Sequence, residues 1–204
     1  MFKKVASDVL GLSDIGSVIS PADYDKVDAD DYVMHEDNEK IYFLIKSKTD
    51  EYCFTNKALI HLDGTSAISK KRTLHRYSYY TNNISKVTLE TAGTVDLDVE
   101  IKFTIGSQAF SIDVHKKFIE ELKDLYKSLI KVAEICHENN EYMNYAQESL
   151  NLASTTIGRV TSKEDSVVDS FKQINETAFS WLVNNRRKFK VKDFGYVFEK
   201  YINN

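Results

Sequence analysis

From Asp96 to Ile105 the odd positions (Leu97, Val99, Ile101, Phe103, Ile105) are apolar and the even ones (Asp96, Asp98, Glu100, Lys102, Thr104) are polar. Side chains alternate faces along a strand, so this stretch predicts a strand with one buried face. Gly106-Ser107-Gln108 is a short turn, after which Phe110, Ile112 and Val114 resume the alternation. Past His115 the period lengthens. Phe118, Ile119, Leu122, Leu125, Tyr126, Leu129 and Ala133 recur at steps of three and four, with charged residues between. That predicts an amphipathic helix of about five turns whose apolar stripe covers the preceding sheet.

Upstream, short runs at Ile41–Ile45, Tyr52–Thr55, Ala58–Leu62, Lys70–Tyr80 and Ile84–Leu89 are separated by turn residues at 47–50, Asp63-Gly64 and Asn82-Asn83. About seven strands followed by one helix, without βαβ alternation, predict an antiparallel α+β barrel or strongly bent sheet closed by the helix. Before the strands, Phe2, Val5, Ala6, Val9 and Leu10 predict a short helix ended by Gly11. The acid-rich residues 12–39 read as a solvated connecting loop, since the glycine and glutamate offsets of a calcium loop are missing.

Beyond Cys136 the period stays helical. Met143, Ala146, Leu150, Ala153 and Ile157 form one narrow seam, and Val167, Phe171, Ile174, Ala178 and Trp181 a second. Gly158 suits a helix end and Thr161-Ser162-Lys163-Glu164 a capping box, so an antiparallel helical hairpin is predicted. The aromatic end (Phe194, Tyr196, Phe198, Tyr201) is expected to dock rather than hang in solvent. The expected division is residues 1–37, an N-terminal helix and loop; 38–136, the strand domain; and 137–204, a helical extension.

Composition narrows the function. With 204 residues, 42% hydrophobic content and net charge −4, the chain can bury a core but offers nucleic acid no global attraction. No run of 18 apolar residues and no secretory leader are read, and two cysteines without metal spacing fit a cytoplasmic protein. No P-loop, GxGxxG, GxSxG or HExxH is found. No enzyme, cofactor or metal is expected.

Phe54-Thr55-Asn56-Lys57, Lys70-Lys71-Arg72, Tyr79-Tyr80, Leu89-Glu90-Thr91-Ala92-Gly93 and Asp96-Leu97-Asp98-Val99-Glu100-Ile101 resemble the bacterial pleckstrin-homology (PH) family. The resemblance covers about residues 38–136. The later helices resemble an oligomerisation region that some members carry. It implies a PH-like split barrel that assembles into rings and has no catalytic residues.

Two basic clusters are candidates for an anionic partner: Lys70, Lys71, Arg72 and Arg76, and Arg186, Arg187 and Lys188 with Lys190 and Lys192. Each has a plain alternative, a charged strand edge for the first and favourable helix-end cations for the second. Eukaryotic phosphoinositide binders place their basic motif between the first two strands. Here that loop holds Lys46 and Lys48 with Asp50 and Glu51 and no arginine, so phosphoinositides are not expected. Asp96, Asp98, Glu100 and Phe103, with Leu150, Phe171 and Trp181 of the seams, are candidates for contact between copies. The expected function is a non-catalytic binding or scaffold module forming a cyclic homo-oligomer, with another protein as an open further partner. The alternative is a peripheral binder of anionic membrane or ligand through the basic clusters.

Overall fold

The computed structural model describes residues 15–64, 72–91, 98–160 and 167–202. The expected helix at residues 2–10, Lys70, Lys71, Asp96 and the box at 161–164 lie outside the described residues, as does the side chain of Phe171.

Eight strands are described: β1 (Ser17–Val18), β2 (Ile41–Lys46), β3 (Glu51–Thr55), β4 (Ala58–Gly64), β5 (Arg72–Ser78), β6 (Ile84–Glu90), β7 (Asp98–Ile105) and β8 (Gln108–His115). They form two antiparallel sheets, β1-β2-β3-β4-β5 and β6-β7-β8. The expectation of about seven strands omitted β1, whose two residues are too few to show a period. Gly16 donates its amide to the Asp113 carbonyl (2.7 Å) and accepts from His115 N (2.9 Å), while Ser17 and Val18 pair with β2. This segment therefore ties one sheet to the other. A side chain at Gly16 would meet Ile45 and the Asp113 carbonyl, which explains the glycine.

The first sheet is buried on both faces. Phe43, Phe54 and Leu59 lie on the side of the second sheet, where Phe54 meets Phe103 edge-on (5.9 Å) and Phe103 stacks on Phe110 (5.1 Å). Leu44, Cys53, Ile60 and Leu62 are packed with Ile19, Val27, Ala29 and Val33. The acid-rich stretch is thus not a solvated connection. It forms three short 3-10 segments (Pro21–Lys26, Asp28–Tyr32, His35–Asp37), and Ala29 within them and Val27 and Val33 between them form part of the core, while Tyr32 and Met34 stay exposed. Those apolar residues are spaced irregularly, so neither a helical nor a strand period betrays them.

Helix α1 (Ile119–Val160) is a single 42-residue helix, and α2 (Val167–Phe189) and α3 (Gly195–Ile202) follow. Leu122, Leu125 and Leu129 are fully buried, as the stripe predicts, and so is Val132, which lies beside the predicted Ala133. The separate closing helix and first hairpin helix are one element, because no glycine or proline interrupts residues 119–157. Gly158 lies inside α1 and does not end it.

The chain divides into two compact units, residues 1–133 with 192–204, and residues 134–191. The aromatic end docks, as expected, and it does so on the strands of the first unit. Phe194, Val197 and Phe198 are buried, Phe198 stacks on Tyr42 (5.5 Å), and Phe194 N donates to Asn56 O (2.8 Å). In the second unit α1 and α2 pair: Tyr142 stacks on Phe189 (5.3 Å) and Lys190 donates to Asn140.

Candidate interaction sites

The first basic cluster is occupied from within. Glu39 and Glu51, each 1% exposed, are buried carboxylates of the first unit, and a buried charge without a partner is costly. Arg76 binds Glu39 at 2.8 Å, and Thr55 Oγ1 (2.5 Å) and Met34 N (2.9 Å) donate to the same carboxylate. Burial alone raises the Glu39 pKa. The bonds from Arg76, Thr55 and Met34 outweigh it and hold the carboxyl below its usual range. Glu51 accepts from Lys46, from Ala29 N (2.8 Å) and from Arg72 (3.3 Å), and Arg72 also reaches Asp28 (2.9 Å). Two of the four candidate cations, Arg72 and Arg76, therefore neutralise buried acids and pin the 3-10 stretch to the sheet. An external anion at these arginines would compete with a buried carboxylate.

The acidic row is arranged differently from expectation. β7 is the middle strand of its sheet, paired with β6 on one side and β8 on the other, so its backbone offers no edge to a second copy. Phe103 is 2% exposed and belongs to the core, which corrects its reading as an interface residue. Glu100 accepts from Ser111 and from Lys102 (2.8 Å), which also reaches Glu90 (2.9 Å). The bonds to Glu100 and Glu90 push the Lys102 pKa up to about 12. Asp98 and Glu100 remain half-buried on the outer face of the sheet.

A ladder of rings was not singled out in the sequence. His61 stacks on Tyr52 (4.4 Å) and lies 6.0 Å from His75, which stacks near Tyr77, and Phe110 closes the group edge-on. Asp50 is bonded to His61 (3.0 Å). Register places His61 opposite His75, a pairing visible only once the strands are aligned. Among the described residues no group of three or more His, Cys, Asp or Glu is arranged to hold a metal ion.

Cys53 is fully buried, and burial next to Glu39 and Glu51 drives its thiol far above the usual range. Cys136 is half-buried. A thiol reagent under native conditions should therefore label Cys136 and reach Cys53 only on denaturation, as peptide mapping of the labelled protein will show. Native labelling of Cys53 would contradict this packing.

The second unit exposes several large apolar side chains. Leu152 is 71% exposed, Phe179 68%, Tyr145 59% and Tyr142 51%. Leu150, Ala153, Ile174, Ala178 and Trp181 line a groove of about 510 Å³ between α1 and α2. Leu150 and Trp181 thus share one groove, as the two seams predict. Leu152 and Phe179 were missed because they lie one residue off those seams. Their signal was a large apolar side chain on an otherwise polar helical face. Arg186, Arg187 and Lys188 are exposed in the last turn of α2, with Lys188 over the Phe189 ring (5.1 Å). No helix among the described residues is long and apolar enough to cross a membrane.

Comparison with known proteins gives a similar division, except that residues 192–204 fall with the helical region. Residues 9–133 match the family model of the bacterial PH domain, and residues 144–204 that of a YvbH-like oligomerisation region; neither describes an enzyme. The chain is 60% identical, over all 204 residues and all of the relative, to the uncharacterized protein YvbH of Bacillus subtilis (strain 168). It is 33% identical over 97 residues to the uncharacterized protein YjqA of the same organism, covering 47% of this chain and 76% of that protein. A crystal structure of a PH domain containing bacterial protein from Exiguobacterium sibiricum 255-15 is 54% identical and superposes with a TM-score of 0.87, covering 93% of this chain and 100% of that one. Its two split antiparallel sheets, its closing helix and these matches together place the chain in the bacterial PH domain family, with a YvbH-like oligomerisation region following the domain.

Proposed function

We propose that this chain is a non-catalytic PH-type binding or scaffold module that self-assembles into a cyclic homo-oligomer through its helical hairpin. The observation that carries this reading is the exposure of Tyr142, Tyr145, Leu152 and Phe179 on a two-helix unit with an open groove along its seam. Two helices cannot cover their own apolar faces, and large exposed patches mark interaction sites. The match of residues 144–204 to an oligomerisation region supports self-association through this part of the chain. Closed symmetry would leave no copy with an uncovered face.

Light scattering on gel-filtered full-length protein tests this. A discrete oligomer is expected, and Leu152→Ser with Phe179→Ser should reduce it to monomer while the ultraviolet circular dichroism stays helical. A full-length protein that is monomeric at every concentration would refute the reading.

A further inference from the structure

The two helices of the hairpin carry opposite charge around their exposed apolar residues. On α1, Tyr145 and Leu152 are seven residues apart and share a face. Glu138, Glu141 and Glu148 lie seven and four residues before Tyr145 and three after it, and all are exposed. On α2, Phe179 is flanked at seven residues on either side by Lys172 and Arg186, both exposed, and Leu182 adds apolar surface on the same face. Glu176 is the acid among them. One face is apolar and acidic, the other apolar and on balance basic.

We propose that the Tyr145–Leu152 face of one copy packs on the Phe179 face of the next. This rests on the self-assembly reading above and specifies its contact. A symmetric contact of α1 on α1 would set three glutamates against three glutamates, and α2 on α2 would set Lys172 and Arg186 against their own kind. Only the unlike pairing joins apolar to apolar and acid to base. The acidic stretch Glu138 to Glu148 spans roughly 15 Å of helix and fits within the roughly 21 Å from Lys172 to Arg186, at 1.5 Å per residue. A contact between two different faces is head-to-tail, and such contacts close into rings when the rotation permits. An anionic lipid surface is a poorer occupant, because the three glutamates would be repelled by it.

Charge reversal in the full chain tests the pairing. Glu141→Lys with Glu148→Lys, and separately Lys172→Glu with Arg186→Glu, should each raise the concentration at which the oligomer dissociates by about tenfold or more. An equimolar mixture of the two variants should associate at lower concentration than either variant alone, since each then offers the other a complementary face. Glu141→Gln with Glu148→Gln, which keeps the shape and removes the repulsion, should lose less. The wild-type oligomer should also loosen as salt rises. If the reversed variants assemble like wild type, or the mixture associates no more strongly than either variant alone while both retain their helicity, the pairing is wrong although self-assembly stands. If wild type itself is monomeric, the self-assembly reading fails and this contact falls with it.

Discussion

Removal of residues 192–204 should unfold the domain that precedes them. Phe194, Val197 and Phe198 are at most 1% exposed, so they form part of the core of the first unit. Each contributes roughly 1.5–3 kcal/mol by leaving water, or about 5–9 kcal/mol together. A domain's whole stability is about 5–15 kcal/mol, so this loss alone is of the same order. Polar ties go with it: Tyr42 donates to Glu199 (2.8 Å), Asn56 donates to Asp193 (2.6 Å), and Tyr79, fully buried, meets both Phe194 and Phe198. Gly195 belongs to the same fit, because a side chain there would strike the Tyr42 hydroxyl. Phe198→Ala alone should cost about 3–5 kcal/mol. Thermal melts followed by circular dichroism check both. Replacing residues 134–191 by a flexible Gly/Ser linker, which keeps the C-terminal segment, should leave a cooperative transition. A truncated chain that melts as sharply and as high as the full one would show that this docking is peripheral.

Arg76→Ala should be the most damaging exposed-strand substitution, destabilising by about 3–5 kcal/mol, because it leaves the Glu39 carboxylate buried without its cation. The effect has a pH signature. Although burial pushes the other way, Glu39 titrates below its unfolded value of about 4.3 through its bonds from Arg76, Thr55 and Met34. Its contribution is thus fully present above the unfolded pKa and is lost as pH falls through the lowered folded one. Without Arg76, burial is less opposed, the folded pKa moves up, and acid protonates the stranded carboxylate. The gap between wild type and Arg76→Ala should therefore be widest at neutral pH and narrow on acidification. Urea denaturation at several pH values measures it. A gap that is constant with pH would assign the loss to packing of the arginine stem instead of to its charge. Arg76→Ala combined with Glu39→Gln should cost less than the two changes added, since the pair shares one interaction.

Local pattern determined most of the architecture. The alternation in 98–105 and 108–114 names its buried side chains without error, and the three- and four-residue steps of Leu122, Leu125 and Leu129 name the face of α1 that is covered. Both signals work because burial on one side of a regular element imposes its period on the sequence. The hairpin seams are legible for the same reason, through Leu150 and Trp181.

Three features were decided only by tertiary structure. Ile19, Val27, Ala29 and Val33 are buried from an irregular, acid-rich segment, where no period links one core residue to the next. Glu39 and Glu51 read as two more acids until Arg76, Arg72 and Lys46 from other strands converge on them, because a salt bridge depends on distance in space and leaves no spacing in the chain. The return of Phe194–Phe198 to β2 is of the same kind. The aromatic composition requires that the segment be covered, but which of two compact units covers it depends on the course of the intervening 58-residue hairpin unit. Periodicity reports which side of an element is buried, and only the folded chain reports against what.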